Sequence, residues 1–333
     1  MTTPQTPLGS GFSAHSTALD VIAGINLVGR LAVVTGGYAG LGLEAARTLA
    51  AAGARVIVPA RDTQRARQAI AEIGGGIEVQ PMDLTDPDSI DAFARGVVRS
   101  GQSLHILVNS AGVMALPELS RDARGNEMQF STNHLGHFQL VLRLWPALKR
   151  AKGARVVSVS SMGHRFSDIV WDDINYTARA YDPWTAYGQS KTANILLAVE
   201  LDRLGREHGI RAFSLHPGGI VTGLAKHLPV ERLKQMGNLD ASGEPVIDPD
   251  RDMKSVAQGA ATHVWCAVSP QLDGKGGVFC ANSDIASVEQ GPAQGSLESR
   301  DRRTSRVSPY AIDASSAQRL WSASEAMTGM RLE

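Results

Sequence analysis

The sequence predicts a doubly wound α/β fold of the Rossmann type, in which a parallel sheet carries helices on both faces. Two observations predict it. Short apolar, β-branched runs alternate with helical runs six or more times between Leu31 and Leu215. Glycines and small polar residues directly follow several of the strand runs, at the carboxyl ends where such sheets bind ligands. The chain of 333 residues, 43% hydrophobic and 20% charged, is long enough for one large domain with its own core.

Residues 1–26 read as an N-terminal arm, flexible to about residue 15, with a short helix from Ser16 to Ile22 capped by Ser16 or Thr17. The main domain spans 27–285. Leu31-Ala32-Val33-Val34-Thr35 is its first strand, buried by composition. Gly36-Gly37-Tyr38-Ala39-Gly40-Leu41-Gly42 then opens a helix running from Leu43 to Ala52, and Arg55–Pro59 is the second strand. Glycines at such a turn let the backbone approach a diphosphate, which the helix N-terminus also attracts. Further on, a helix covers Thr63–Ile73 and is closed by Gly74-Gly75-Gly76, Ile77–Pro81 is a strand, and Asp86 or Asp88 caps a helix running to about Val98. Leu104–Val108 is the fourth strand, Glu127–Arg150 one long helix, and Arg155–Val159 the fifth strand. Ala212–Leu215 is the sixth, Lys254–Val268 a helix, and Val278-Phe279-Cys280 an edge strand. Residues 286–333 form an extension: a loose loop from Ser287 to Ser308, then a helix from Ala314 to Met327 capped by Asp313.

The chemistry centres on Tyr187-Gly188-Gln189-Ser190-Lys191, at the head of a helical run without Gly or Pro. Positions i and i+4 share a helix face, so a phenol and an ammonium stand side by side. A neighbouring cation favours the phenolate and lowers its pKa, which suits the phenol to acid/base work on a carbonyl or alcohol. Such a pair alone is usually a surface contact. Asn109-Ser110-Ala111-Gly112, Ser160-Ser161 and His216-Pro217-Gly218-Gly219 follow the fourth, fifth and sixth strands and gather on the same rim. Asn133 lies inside the long helix, where asparagine is a mediocre helix former.

Thr35-Gly36-x-x-x-Gly40-x-Gly42, Asn109-Ser110-Ala111-Gly112, Asn133, Ser161, Tyr187-x-x-x-Lys191 and Pro217-Gly218, in this order, resemble the short-chain dehydrogenase/reductase family over about Leu27 to Asn282. Thr132-Asn133-His134-Leu135-Gly136-His137-Phe138 and His216-Pro217-Gly218 look most like its retinol-dehydrogenase and WW-domain-oxidoreductase branch. The resemblance implies a nicotinamide cofactor and a catalytic set of Asn133, Ser161, Tyr187 and Lys191. In that set Tyr187 is the acid/base, Lys191 lowers its pKa and binds the ribose, Ser161 holds the substrate oxygen, and Asn133 holds a relay water. Ser160 is the competing serine. The resemblance further implies cofactor contacts at Gly36, Tyr38, Gly40, Leu41, Gly42, Asp83, Leu84, Asn109, Ala111, Gly112, Pro217, Gly218 and Thr222, beside Tyr187 and Lys191. It also implies a lid over about 222–250, and homodimers or homotetramers built through the long helix and the Tyr187 helix.

Ala60-Arg61 stands at the end of the second strand, where an acid would repel a 2′-phosphate; with Arg65 nearby, NADP(H) is preferred over NAD(H). Phe166, Trp171, Tyr176, Tyr181 and Trp184, between Ser161 and Tyr187, either line an apolar pocket or anchor their loop. Together these readings give an NADP(H)-dependent carbonyl reductase or alcohol dehydrogenase acting on a small hydrophobic ketone, aldehyde or alcohol. A silent nucleotide-binding sensor and a light-dependent tetrapyrrole reductase are the alternatives. Zero net charge leaves no footprint for nucleic acid or an anionic membrane. No apolar run reaches a membrane span, and the N-terminus is unlike a secretory signal. Cys266 and Cys280 build neither a disulfide framework nor a metal site, His134, His137 and His164 lack companion ligands, and a reducing cytoplasm is the expected location.

Overall fold

The computed structural model describes residues 2–332 apart from 72, 74, 75, 226, 227 and 291–305. Its sheet has the order β3-β2-β1-β4-β5-β6-β7-β8. The strands are β1 (Leu31–Thr35), β2 (Arg55–Ala60), β3 (Ile77–Pro81), β4 (Ile106–Asn109), β5 (Ala154–Val159), β6 (Ile210–His216), β7 (Val278–Ala281) and β8 (Asp284–Ile285). The first seven are parallel and β8 is antiparallel to β7. The chain order reverses between β1 and β4, so the loops after those strands part and leave a crevice at their carboxyl ends.

The helices are α1 (Ala18–Ile22), α2 (Gly40–Ala51), α3 (Thr63–Ile70), α4 (Pro87–Arg99), α5 (Met128–Phe130), α6 (Gly136–Ala151), α7 (Pro183–Gly205), α8 (Val230–Gln235), α9 (Val256–Gly259), α10 (Ala261–Val268) and α11 (Ala314–Thr328). One apolar core lies between the sheet and α1, α2 and α10, with Leu49, Val58, Val108 and Trp265 at its centre. The other lies under α4, α6 and α7, around Phe93, Leu107, Phe138 and Leu197. Burial on both faces is why the central strands are continuous apolar runs rather than alternating ones.

Several elements depart from expectation. The long helix is not uniform: Ser131–Leu135 forms a π-turn between α5 and α6. The predicted Lys254–Val268 helix breaks into α9 and α10. β7 is not the edge, because Asn282 and Ser283 both take positive φ (54° and 56°) and fold β8 back on it. The N-terminal arm is held rather than loose. Gln5 Nε2 donates to the carbonyls of Phe279 and Ala286 (both 2.7 Å), and the Asp284 carboxylate accepts the Leu8, Gly9 and Ser10 amides. Gln5 Oε1 also accepts the Phe279 amide at 2.9 Å, so the arm satisfies a main-chain donor at the sheet margin. α3 ends at Ile70; Gly74 and Gly75 of its expected stop lie outside the described residues, as does most of the loop expected over 287–308. α11 lies on α6 and α7, with Trp321 edge-on to Phe138 at 4.9 Å between centroids. It thus covers part of the helical face that the resemblance assigns to subunit pairing. No helix among the described residues is long and apolar enough to cross a membrane.

Candidate active site

A cleft of about 800 Å³ opens at the carboxyl ends of the strands. One wall is the Gly-rich turn. A Cβ on Gly42 would stand 2.5 Å from the Gly36 carbonyl oxygen, so only glycine permits the backbone to fold this tightly. No side chain caps the start of α2, whose N-cap is Ala39. Its first N–H groups therefore lack a side-chain partner at the cleft margin, which suits a phosphate group. These features fit a dinucleotide. Gly36, Tyr38, Gly40, Leu41, Gly42, Arg61, Asp83, Leu84, Ala111, Gly112, Pro217, Gly218 and Thr222 all line the cleft. Asn109 does not: its side chain is buried behind the turn, without a hydrogen-bond partner on either amide atom. In register with Ser158 of β5, it belongs to the floor of the sheet rather than to the rim. Arg61 is largely exposed, only 3.9 Å from Asp83 Oδ2, while Asp83 Oδ1 accepts from both the amide and the hydroxyl of Thr85.

Tyr187 sits in the first turns of α7, which Asp182 caps by accepting the Thr185 amide at 2.7 Å. Gly163 packs flat on the phenol ring; a Cβ there would meet Cε1 at 2.6 Å. Ser161 Oγ accepts the Gly163 amide at 3.0 Å and lies beside the phenol ring around Gly163. Ser160, in contrast, turns inward and donates to the Lys191 carbonyl at 2.8 Å. Lys191 Nζ donates to the Val159 carbonyl at 3.1 Å and lies 5.5 Å from the Tyr187 ring centre. The expectation that Lys191 lowers the phenol's pKa does not hold in this arrangement. Burial dominates and pushes Tyr187 up to about 12, with the Ser161 hydroxyl working against it. Burial likewise pulls Lys191 down to about 8.

The π-turn explains Asn133. Its extra residue per turn swings the amide inward, where Oδ1 accepts the Val113 amide (2.8 Å) while Nδ2 donates to the Val113 carbonyl (3.0 Å) and to Ser190 Oγ (2.9 Å). The resemblance gave Asn133 a water to hold; here its amide braces the loop after β4 against α7. His137 extends the brace. Nδ1 donates to the Asn133 carbonyl (2.9 Å), so Nε2 accepts from the Thr35 hydroxyl (2.9 Å), which in turn receives the Ser110 and Ala111 amides.

The five loop aromatics divide. Phe166 and Trp184 line the cleft, edge-on to each other at 5.8 Å. Trp171 packs under Arg319, and Tyr176 and Tyr181 pack together, with Tyr181 donating to the Leu116 carbonyl. Met114, Met128 and Met253 also line the cleft, and no local spacing in the sequence marks them. Leu224, Leu228, Leu233 and Met236 of the expected lid close its outer side. No group of His, Cys, Asp and Glu among the described residues could hold a metal ion.

The sequence and the fold match those of a known family. The short chain dehydrogenase family model matches residues 30–232. A Streptomyces lividans protein named "Probable oxidoreductase" is 41% identical over 302 residues, covering 89% of this chain and 97% of its own. Human retinol dehydrogenase 12 is 35% identical over 314 residues, 93% of this chain and 89% of its own. A solved structure from Mycobacterium paratuberculosis superposes with a TM-score of 0.70 at 32% identity, covering 97% of this chain and 99% of that one. With the parallel sheet, the glycine cradle and the Ser161–Tyr187–Lys191 cluster at its rim, the chain belongs to the short-chain dehydrogenase/reductase family of oxidoreductases, which use a nicotinamide cofactor.

Proposed function

We propose that this oxidoreductase interconverts a hydrophobic ketone or aldehyde and its alcohol, with Tyr187 as general acid and base and NADP(H) as the preferred cofactor. The observation that carries the reading is that Ser161 and Tyr187 stand together against Gly163 in the wall of the cleft, with Lys191 one turn away. A carbonyl oxygen placed between the two hydroxyls accepts one hydrogen bond from Ser161 and the proton of Tyr187. A nicotinamide cofactor bound in the cleft would supply or accept the hydride. Lys191, whose ammonium burial makes easier to discharge, is the group placed to restore the phenol's proton near neutral pH. Asn133 holds the Val113 loop and Ser190 so that the Lys191 turn of the helix keeps its place.

The apolar wall of Met114, Leu116, Met128, Phe166, Trp184 and Leu228 supports a hydrophobic substrate. NADP(H) is supported by Ala60-Arg61 at the end of β2, where an exposed guanidinium stands in place of a carboxylate. Tyr187→Phe tests the mechanism: turnover should fall by roughly 100- to 10,000-fold while NADPH binding is kept. Unchanged turnover would end the proposal. Equal kcat/KM with NADH and NADPH would end the cofactor assignment.

A further inference from the structure

β6 ends in His216, and a buried chain of polar contacts starts there. The Met162 amide, directly after Ser161, reaches His216 Nδ1 at 3.1 Å. A main-chain N–H only donates, so Nδ1 accepts and the ring proton sits on Nε2. Nε2 donates to Asp252 Oδ2 at 2.9 Å. The other carboxylate oxygen lies 3.2 Å from Lys254 Nζ, which also donates to the Pro217 carbonyl and to Asn282 Oδ1. The three side chains are at most 10% exposed. Desolvating such an ion pair is costly, so its value lies in fixing one arrangement rather than in stability.

The main chain repeats the tie. Gly219 donates to the Asp252 carbonyl (2.7 Å) and Lys254 donates back to the Gly219 carbonyl (2.9 Å). Asp248 and Met253 exchange a second pair of bonds at 2.7 and 3.0 Å. Asp252 itself takes φ 61°, the left-handed conformation that a non-glycine residue adopts only when its surroundings demand it. The returning end of the lid is therefore clamped to the turn after β6, and Met253, between the two charged residues, forms cleft wall.

We infer that His216 and Asp252 are positioning residues that lock the returning end of the lid to the Ser161 turn, so that seating Met253 against substrate and setting Ser161 against Tyr187 are coupled. The inference rests on the proposed role of Ser161. Two substitutions divide the histidine's contacts. His216→Asn keeps an acceptor where Nδ1 stands and drops the Asp252 contact; His216→Gln keeps a donor toward Asp252 and drops the Met162 contact. With NADPH and the fastest carbonyl of a panel of benzaldehyde, acetophenone and decanal, His216→Asn and His216→Gln should each raise KM and lower kcat together, by roughly tenfold in kcat/KM. A change confined to KM for His216→Asn and confined to kcat for His216→Gln would overturn the coupling. Hydrogen exchange on the free protein needs no substrate: Asp252→Asn should speed exchange in peptides covering 219–254 and also 160–168. Faster exchange confined to 219–254 would overturn the inference whatever the carbonyl panel shows, whereas a silent panel with exchange coupled as described would count against the proposed activity alone.

Discussion

Acid should unfold this protein through its histidines before its carboxylates. His134, His137, His164 and His263 are fully buried, and burial is the main cause that holds them at about 3, 4, 3 and 4. In the unfolded chain each titrates near pH ~6.5. Between those values the unfolded chain takes up protons that the folded chain refuses, so stability is lost as pH falls from about 6.5 toward 4. At pH ~5 each histidine contributes about 2 kcal/mol of this loss, and the four together about 8, against a typical total of about 5–15. The Glu127 carboxyl, raised by burial, works in the opposite sense, and carboxyls held below their ordinary range, such as Asp91, add to the loss only below about pH 5. Urea unfolding between pH 6.5 and 5 should show a slope near 5 kcal/mol per pH unit, roughly 1.4 for each proton. His134, which shares a hydrogen bond with Ser324 at 2.7 Å and lies between Phe130 and Phe138, offers the cleanest deletion. His134→Gln should remove about one proton from that slope. A wild-type slope below one proton, or a His134→Gln slope equal to the wild type's, would refute the reasoning.

Arg61→Ala removes the charge-assisted contact proposed to a 2′-phosphate and should lower kcat/KM for NADPH by about ten- to a hundredfold while leaving NADH unchanged; a parallel fall with both cofactors would count against it. Gly42→Ala drives a methyl group into the Gly36 carbonyl and should weaken NADPH binding at least about tenfold in a fluorescence titration, with a dissociation constant within twofold of wild type as the contrary result. Trp321→Ala deletes the buried edge contact with Phe138 and should cost about 3–5 kcal/mol in urea unfolding, since α11 has no comparable anchor on α6. A loss below about 1 kcal/mol would mean that α11 is dispensable to the core.

How much of this was legible depends on how far apart the deciding residues lie. β1 runs as predicted because a strand buried on both faces must be apolar along its whole length, a local requirement. The Tyr187–Lys191 pair was legible for the same reason, since four residues of helix fix its geometry. The π-turn was not, because the apolar pattern from Met128 to Leu148 reads as ordinary helix. What forces the extra residue is distant: Asn133 is held by Val113 and Ser190, and Gly136 must pass the Leu84 carbonyl, which a Cβ would meet at 2.3 Å. The loop aromatics divide by what each meets, Trp171 by Arg319 and Tyr181 by Leu116, neither of which is near in sequence. His216 and Asp252 stand 36 positions apart, across the whole segment expected as a lid, and no periodicity links them. The proposed acid/base group is thus set by a short-range pattern, while the parts that orient it arise from contacts that exist only once the sheet has assembled. That division implies an order of sensitivity: changes within Tyr187–Lys191 should stop the chemistry in an intact fold, whereas changes at Asn133, His137 or Asp252 should loosen the site and the local fold together, because each of those side chains ties together elements distant in sequence.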